Sequence, residues 1–219
     1  MILELKKRII TSIFLLSLLF LMFSYSLVLI ISSTVIGLIS WIEFYGLISK
    51  IFKKNDTKSQ IIRFLYKLSS LLYLSGLVFI IITSTLTNLN LYFVLIYSTL
   101  VAIMSDIGGL VVGKIFKGKK LSKISPNKTI SGSLGSFIFS IILAPFFLKY
   151  FENYNILTII LFTVIISLAS QLGDLLISLL KRKANVKDTT DLLPGHGGVL
   201  DRIDGILLAI PMGLLIFST

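Results

Sequence analysis

Apolar runs long enough to cross a bilayer extend along almost the whole of this sequence. A membrane-spanning helix needs about 20 predominantly apolar residues, and the run from Ile9 to Ser40 is too long for one such helix. We therefore split it near Ser24–Ser26, where polar residues interrupt it. The sequence then predicts an all-α transmembrane bundle of about seven spans: two within 9–40, then about 66–85, 91–113, 130–148, 155–180 and 200–218.

The composition excludes a water-soluble protein. Hydrophobic residues make up 55% of the chain and charged residues only 14%, whereas a soluble domain carries roughly 25% charged residues. The chain has no cysteine and a single histidine, His196, which excludes disulfides, a thiolate nucleophile, cysteine-ligated metal centres and histidine-rich metal sites. Any chemistry must therefore use carboxylates, lysines, arginines and this one histidine.

The basic residues predict a topology. With the N-terminus in the cytoplasm, all of the 21 lysines and arginines except Lys149 fall in or beside cytoplasmic segments, as the positive-inside rule requires. The C-terminus is then expected outside. We expect one integral membrane domain over 1–219, made of N-terminal helices over 1–90 and a catalytic, cytoplasm-facing region over 91–219 with long loops at 114–129 and 181–199.

Acidic residues concentrate near the C-terminus. Five of the ten fall within 31 residues: Asp174, Asp188, Asp191, Asp201 and Asp204. Asp174 lies inside a span, and helical spacing places it on one face with Gln171, Ser178 and Lys181. An ionised carboxylate facing lipid is costly, so this face should look into the bundle or a wet cavity. The alternative is a structural Asp174–Lys181 stripe packed against another polar helix.

Two further acids open the last predicted span. Asp201 and Asp204, taken alone, are explained by helix N-terminal capping, because the helix dipole favours acids there. Together with Asp174 and the neighbouring lysines and arginines, they also suit a Mg²⁺-bound polyphosphate, since hard oxygen ligands bind the ion and cations bind the phosphates.

A glycine-rich segment lies between these acids. In Pro194-Gly195-His196-Gly197-Gly198, three glycines allow positive φ and a close backbone approach, so loop amides could cradle phosphate oxygens. The alternative is a plain turn between helices with a solvated histidine.

A second polar segment follows the fourth predicted span. Asp106 lies near its end, and Ser125-Pro126-Asn127-Lys128-Thr129 precedes the next span. The stretch 108–115 nearly matches a phosphate-binding Walker loop, but it lacks the Ser/Thr and lies in a membrane helix, so we reject that interpretation. The lysines at 117, 119, 120 and 123 are well explained as positive-inside residues near anionic lipid head groups.

These segments carry a resemblance to a known family. The downstream pattern comprises Ser178, Lys181-Arg182, Lys187-Asp188, Pro194-Gly195-His196-Gly197-Gly198 and Asp201-Arg202-Ile203-Asp204. The upstream pattern comprises Asp106, Gly113-Lys114, Ser125-Pro126-Asn127-Lys128-Thr129 and Gly132. Both resemble the phosphatidate cytidylyltransferases, also called CDP-diacylglycerol synthases, and Trp41-Ile42-Glu43-Phe44-Tyr45 is weakly similar to a stretch near the family's N-terminus. Thr190 stands where the family prefers Gly, Ala or Ser, and the chain is short for the family.

The resemblance implies transfer of CMP from CTP to phosphatidate, which gives CDP-diacylglycerol and pyrophosphate. It implies Mg²⁺, with room for a second cation, and Asp174 and Asp201 as leading metal ligands, with Asp188 and Asp204 as second candidates. Lys181, Asp174 and Asp201 are the expected catalytic residues, Lys181 neutralising phosphate in the transition state. The expected substrate-binding residues are Ser125, Lys128, Ser178, Arg182, Lys187, His196, Gly197, Gly198 and Arg202. How the basic residues divide between CTP and phosphatidate stays open.

The expected setting is a bacterial inner membrane, with the active site on the cytoplasmic side, no nucleic-acid partner and room for a homodimer. Two other classes stay open. A CTP-dependent polyprenol kinase would also use CTP, metal and membrane but would release CDP. A transporter would also place acids in spans, although it would usually show broken helices or repeats at the midplane.

Overall fold

The computed structural model describes residues 2–53, 56–121, 125 and 128–217, without the side chains of 2–4. In these ranges the regular elements are helices, which confirms the all-α prediction. They are α1 (Ile2–Ser24), α2 (Ser26–Ile51), α3 (Thr57–Thr87), α4 (Leu89–Phe116), α5 (Ile130–Ile141), α6 (Ala144–Phe147), α7 (Ile156–Lys183), α8 (Leu200–Ile203) and α9 (Ile206–Phe217), with a 3₁₀ turn at Leu148–Tyr150.

Six helical segments are long and apolar enough to cross a membrane: Leu5–Ser24, Ser26–Ile51, Thr57–Thr87, Leu89–Phe116, Ile130–Tyr150 and Ile156–Lys183. The split of the first long run is confirmed, because Tyr25 is extended, with φ −134° and ψ 114°, between α1 and α2. The chain is an integral membrane protein.

The seventh predicted span, 200–218, differs from the prediction. It forms the short helix α8 and the 12-residue helix α9, with a turn at Asp204 and Gly205 between them. Twelve residues rise about 18 Å, which is well short of the roughly 30 Å hydrocarbon core. The residues are as apolar as predicted, but α9 is too short to count as a span by itself.

The chain divides into two compact units. The first joins two separate stretches, Met1–Leu86 and Leu180–Ile203. Within it α1 and α8 both contact α2, and the side chains of Leu29, Leu47 and Ile48 on α2 are almost completely buried. The glycine-rich segment and most of the downstream pattern therefore belong to the same unit as the N-terminal helices.

The second unit comprises Thr87–Leu179 and Asp204–Thr219. In it α4 packs against both α5 and α9. A Cβ added at Gly108 on α4 would collide with the carbonyl oxygen of Gly135 on α5. Small residues at a helix contact allow backbones to approach in a membrane, so the glycines that mimic a Walker loop serve helix packing here.

Candidate functional site

The first unit holds a buried lysine–aspartate pair. Lys181, near the end of α7, places its Nζ atom 2.5 Å from Oδ1 of Asp201 on α8. Oδ2 of Asp201 accepts from the Thr189 amide at 2.9 Å, the Thr189 hydroxyl at 3.0 Å and the Gly198 amide at 3.0 Å. Both oxygens of this carboxylate are therefore bonded within the unit.

These bonds set the charge of Asp201. Burial by itself raises the pKa of this carboxyl, but the bonds from Lys181, Thr189 and Gly198 and the charge of Lys181 outweigh burial. The net result is a pKa below the usual value of 3.8. Asp201 is consequently ionised at neutral pH, and its nearest cation is Lys181.

The glycine-rich segment is a tight, internally bonded turn. The Leu193 amide donates to the Gly197 carbonyl and the His196 amide donates to the Leu193 carbonyl, each at 2.8 Å. Gly195 and Gly197 have φ of 77° and 80°, so the expected positive φ is confirmed at these two positions. The Gly198 amide donates to Asp201, so this amide stabilises the turn itself.

Glu43 on α2 is the residue that sequence reasoning missed. Its side chain is 3% exposed. Oε1 accepts from the Thr190 hydroxyl at 2.6 Å and the Val199 amide at 3.0 Å. Oε2 accepts from the Thr189 hydroxyl and the Leu200 amide, each at 2.8 Å. An acid inside an apolar helix was the available signal, because such residues need polar partners.

Helix α1 also contacts the glycine-rich segment. The Thr11 hydroxyl donates to the Pro194 carbonyl at 3.0 Å, and the Ser12 Oγ lies 3.3 Å from Nε2 of His196. Nδ1 of His196 is buried without a hydrogen-bond partner among the described residues. The His196 carbonyl accepts from Nε and Nη2 of Arg202 at 3.1 and 2.6 Å. His196 and Arg202 are thus parts of one bonded turn.

Three other predicted residues of this unit, Arg182, Lys187 and Asp188, are exposed. A Cβ added at Gly197 would lie 3.2 Å from the Cβ of Asp188 and 3.0 Å from Oδ2 of Asp201. Asp188 therefore lies beside the turn, next to the carboxylate of Asp201, and its own side chain reaches solvent.

The second unit holds the other lysine–aspartate pair. Lys128 forms an ion pair with Oδ2 of Asp174 on α7, and the Ser178 hydroxyl donates to Oδ1 at 3.2 Å. This contact agrees with the predicted placement of Asp174 and Ser178 on one helical face. Among the described residues, the ion pairs of Asp174 and Lys181 are formed with Lys128 and Asp201 respectively.

The upstream motif forms the entry to α5. The Thr129 side chain accepts from the Gly132 amide at 3.0 Å and caps this helix, and the Ser125 carbonyl accepts from the Lys128 amide at 3.1 Å. Pro126 and Asn127 of the motif lie outside the described residues, as do the basic residues Lys54 and Lys123.

The remaining predicted acids differ in exposure. Asp106 on α4 is exposed. Asp204 is 7% exposed and accepts from the Gly205 amide at 2.9 Å. This bond comes from the residue that immediately follows Asp204, just before α9 begins.

The donor set fits an oxygen-ligated cation. No group of three His, Cys, Asp or Glu residues suited to a metal is found in the described part of the chain. Mg²⁺, however, is usually bound by one or two carboxylates completed by substrate phosphates and water. Asp174 and Asp201 each carry a lysine ammonium, which occupies the position that a cation would take on either carboxylate.

Comparison with known proteins identifies the family of this chain. The model of the Cytidylyltransferase family matches residues 3–219. The phosphatidate cytidylyltransferase of Staphylococcus haemolyticus (strain JCSC1435) is 42% identical over 120 residues, which cover 54% of this chain and 46% of that protein. Those of Staphylococcus aureus (strain COL) and Staphylococcus epidermidis (strain ATCC 35984) are 41% and 38% identical, over 46% and 49% of their lengths. The matched region spans about half the length of these curated relatives, and with a family match over nearly all of its own residues this chain belongs to the cytidylyltransferase family.

Proposed function

We propose that this chain transfers CMP from CTP to phosphatidate and so produces CDP-diacylglycerol and pyrophosphate. The observation that carries the proposal is that a lysine from each of the two segments of the resemblance pairs with an aspartate, Lys181 with Asp201 and Lys128 with Asp174. Membership of the family and the names of the staphylococcal relatives support it.

The reaction is a displacement at phosphorus. An oxygen of the phosphatidate phosphate attacks the α-phosphorus of CTP, a new P–O bond forms there, and the bond to the β-phosphate oxygen breaks. Pyrophosphate leaves with the electron pair of the broken bond. Both substrates are polyanions, so catalysis consists of positioning and neutralisation of charge.

The lysines have the chemistry to neutralise that charge. Each ammonium is held on a carboxylate, and this arrangement keeps it oriented at little entropic cost when substrate binds. A Lys181 ammonium that contacts phosphate oxygens stabilises the charge that develops in the transition state. Arg182 and Lys187 are exposed and are suited to capture the triphosphate or the lipid phosphate.

Mg²⁺ is the proposed cofactor. When bound, it would polarise the phosphate oxygens and neutralise the pyrophosphate leaving group. Asp174 and Asp201 are the proposed ligands, because a cation can replace the ammonium on either carboxylate. Asp188 is a further candidate because it is exposed beside the glycine-rich turn.

An assay with purified protein tests the function. Phosphatidate, CTP labelled in the α-phosphate and Mg²⁺ should give labelled CDP-diacylglycerol and unlabelled pyrophosphate in equal amounts. A parallel assay that supplies a polyprenol in place of phosphatidate tests the kinase alternative, which would release CDP together with the phosphorylated polyprenol. Binding of CTP without any product would contradict the transferase.

The proposed location is a bacterial inner membrane with the site on the cytoplasmic side. The chain has no cysteine, so single cysteines can report the topology. Cysteines at the exposed positions Lys183 and Asn153 should react with an impermeant thiol reagent from opposite sides, Lys183→Cys only from the cytoplasm. Labelling of Lys183→Cys in intact cells would show that the orientation is opposite to the one proposed.

A further inference from the structure

We propose that Glu43 is a positioning residue for nucleotide transfer. It holds residues 189–200 in the geometry that Asp201 and Lys181 require. The proposal rests on the proposed function. Glu43 lies in α2, 146 residues before Thr189, the first residue that it holds, and the sequence resemblance assigns it no role.

Hydrogen-bond donors surround both carboxylate oxygens of Glu43. An ionised carboxylate offers about four acceptor sites on two oxygens. Four donors lie within hydrogen-bond distance of Glu43: the hydroxyls of Thr189 and Thr190 and the amides of Val199 and Leu200. The Thr189 hydroxyl is shared with Asp201. A buried carboxylate with this many partners is a rigid connection, because the loss of a donor leaves a buried acceptor unsatisfied.

The four donors lie on both sides of the glycine-rich turn. Thr189 and Thr190 precede it, and Val199 and Leu200 follow it. Glu43 therefore fixes the two ends of the turn against one side chain. The next residue after Leu200 is Asp201, so the position of its carboxylate depends on the same anchor.

Thr189 connects the two carboxylates. Its hydroxyl lies 2.8 Å from Oε2 of Glu43 and 3.0 Å from Oδ2 of Asp201. A hydroxyl has one hydrogen and donates one bond at a time, while the Thr189 amide donates to Asp201 throughout. Displacement of Glu43 would thus alter the bonding of Asp201, and through it the Lys181 ammonium.

The close packing between Glu43 and Gly198 supports a positioning role. A Cβ added at Gly198 would lie 2.5 Å from Oε2 and 2.7 Å from Oε1 of Glu43, and closer still to the Thr189 hydroxyl. Glu43 thus packs directly against the backbone of the turn. At 3% exposure it is shielded from substrate, so it acts through the turn and is not a catalytic residue.

The test combines kinetics with hydrogen exchange measured by mass spectrometry on peptides that cover 188–203. Glu43→Ala should lower kcat by about 10²-fold, raise KM for CTP by several-fold and abolish the slow exchange of the Val199 and Leu200 amides. Glu43→Gln preserves the size of the side chain but replaces an acceptor oxygen with a donor NH₂ group, so it should give an intermediate loss. Glu152→Gln, at an exposed glutamate of the other unit, is the matched control and should equal the wild type.

A second pair of variants guards against misfolding of Glu43→Ala. Thr190 is exposed, so a substitution there should be tolerated by the fold. Valine has nearly the same shape as threonine, and Thr190→Val replaces the hydroxyl with a methyl group. We expect Thr190→Val to lower kcat/KM about 5-fold and Thr190→Ser, which retains the hydroxyl, to restore it. A general loss of folding would not distinguish these two variants.

Two outcomes overturn the proposal. Exchange of the Val199 and Leu200 amides that is unchanged in Glu43→Gln would show that the contacts do not order the segment. Fast exchange with kcat and KM within twofold of the wild type would show that this order is not needed. A wild type that makes no CDP-diacylglycerol refutes the proposed function instead, and the exchange rates then still decide whether Glu43 anchors the turn.

Discussion

The Lys181–Asp201 and Lys128–Asp174 pairs join the same two side-chain types, but different kinds of structure hold them. The Asp201 carboxylate accepts from Lys181, two groups of Thr189 and the Gly198 amide, in a turn anchored by Glu43. The Asp174 carboxylate, on a continuous helix, accepts from Lys128 and from Ser178 of the same helix. Asp201 is therefore both a charge and a structural element of its turn, whereas Asp174 is fixed chiefly by its own helix.

The Lys181–Asp201 pair is also less exposed than the Lys128–Asp174 pair. The side chains of Lys181 and Asp201 are 14% and 4% exposed, and those of Lys128 and Asp174 are 28% and 21% exposed. Charge interactions weaken as water approaches, so the first pair should be the stronger one. The comparison teaches that similar motifs can supply one rigid, shielded pair and one that water or substrate reaches more easily.

Neutralising either aspartate should have the largest effect. We expect Asp174→Asn and Asp201→Asn each to lower turnover about 10³-fold at saturating Mg²⁺, because each removes a charge that would hold the cation. Only Asp201→Asn should also speed amide exchange in 188–203, since only Asp201 accepts from Thr189 and Gly198. Steady-state rates and exchange on the same preparations check both statements.

Asp56→Asn is the matched control, because Asp56 is fully exposed in the described structure. Near-normal turnover in Asp174→Asn would remove Asp174 from the proposed ligands. Equal disturbance of exchange by both site variants would abolish the distinction between the two pairs.

The lysines should rank next. Lys181→Ala should lower kcat about 10²-fold, a loss of about 3 kcal/mol that is typical for one electrostatic stabiliser. Lys181→Arg should restore the rate only partly, because the planar fork of arginine does not reproduce a point charge. Lys128→Ala, in the more exposed pair, should cost about 10-fold, as measured by kcat with insertion verified.

Lys183 supplies the control for this series. It is exposed at the end of the same helix as Lys181, and Lys183→Ala should be nearly silent. If Lys181→Ala and Lys183→Ala behave alike and both proteins insert normally, Lys181 is only a topogenic charge.

Replacing the turn glycines should have a smaller effect that falls on CTP binding. Gly197→Val forces a β-branched residue to φ 80°, and Gly198→Val collides with Glu43 and Thr189. We expect KM for CTP to rise about 10-fold. Gly46→Ala, on α2 where an added Cβ meets nothing within 4 Å, is the control, and unchanged CTP kinetics in both Val variants would favour a plain turn.

The smallest expected effect is a dependence of stability on acid pH. Because the pKa of Asp201 is lowered in the folded protein from its usual 3.8, its contribution to stability is complete above that value and is lost as pH falls through the folded pKa. Thermal unfolding in detergent between about pH 6 and pH 3 should show a steeper decline for the wild type than for Asp201→Asn. Parallel curves would mean that Asp201 stabilises no more when ionised than when protonated.

The sequence predicted the spans because they depend on local composition. Apolar runs near 20 residues must form helices in a bilayer, since no water is available to bond the backbone. The split at Tyr25 and the positive φ of Gly195 and Gly197 also follow from local chain properties. The last predicted span is divided into α8 and α9, because an apolar run does not reveal a turn such as that at Asp204 and Gly205.

Pairing was decided by tertiary structure alone. Helical spacing placed Asp174 and Lys181 on one face, but each found its partner elsewhere, in Lys128 and Asp201, because a charge bonds to whichever opposite charge the fold brings nearest. Glu43 makes the same point more strongly. In the sequence it is one acid in an apolar run, and only the packing of α2 against α8 and the residues before α8 gives it four donors. Contacts between residues 146 to 157 positions apart depend on how the chain packs and not on neighbouring residues.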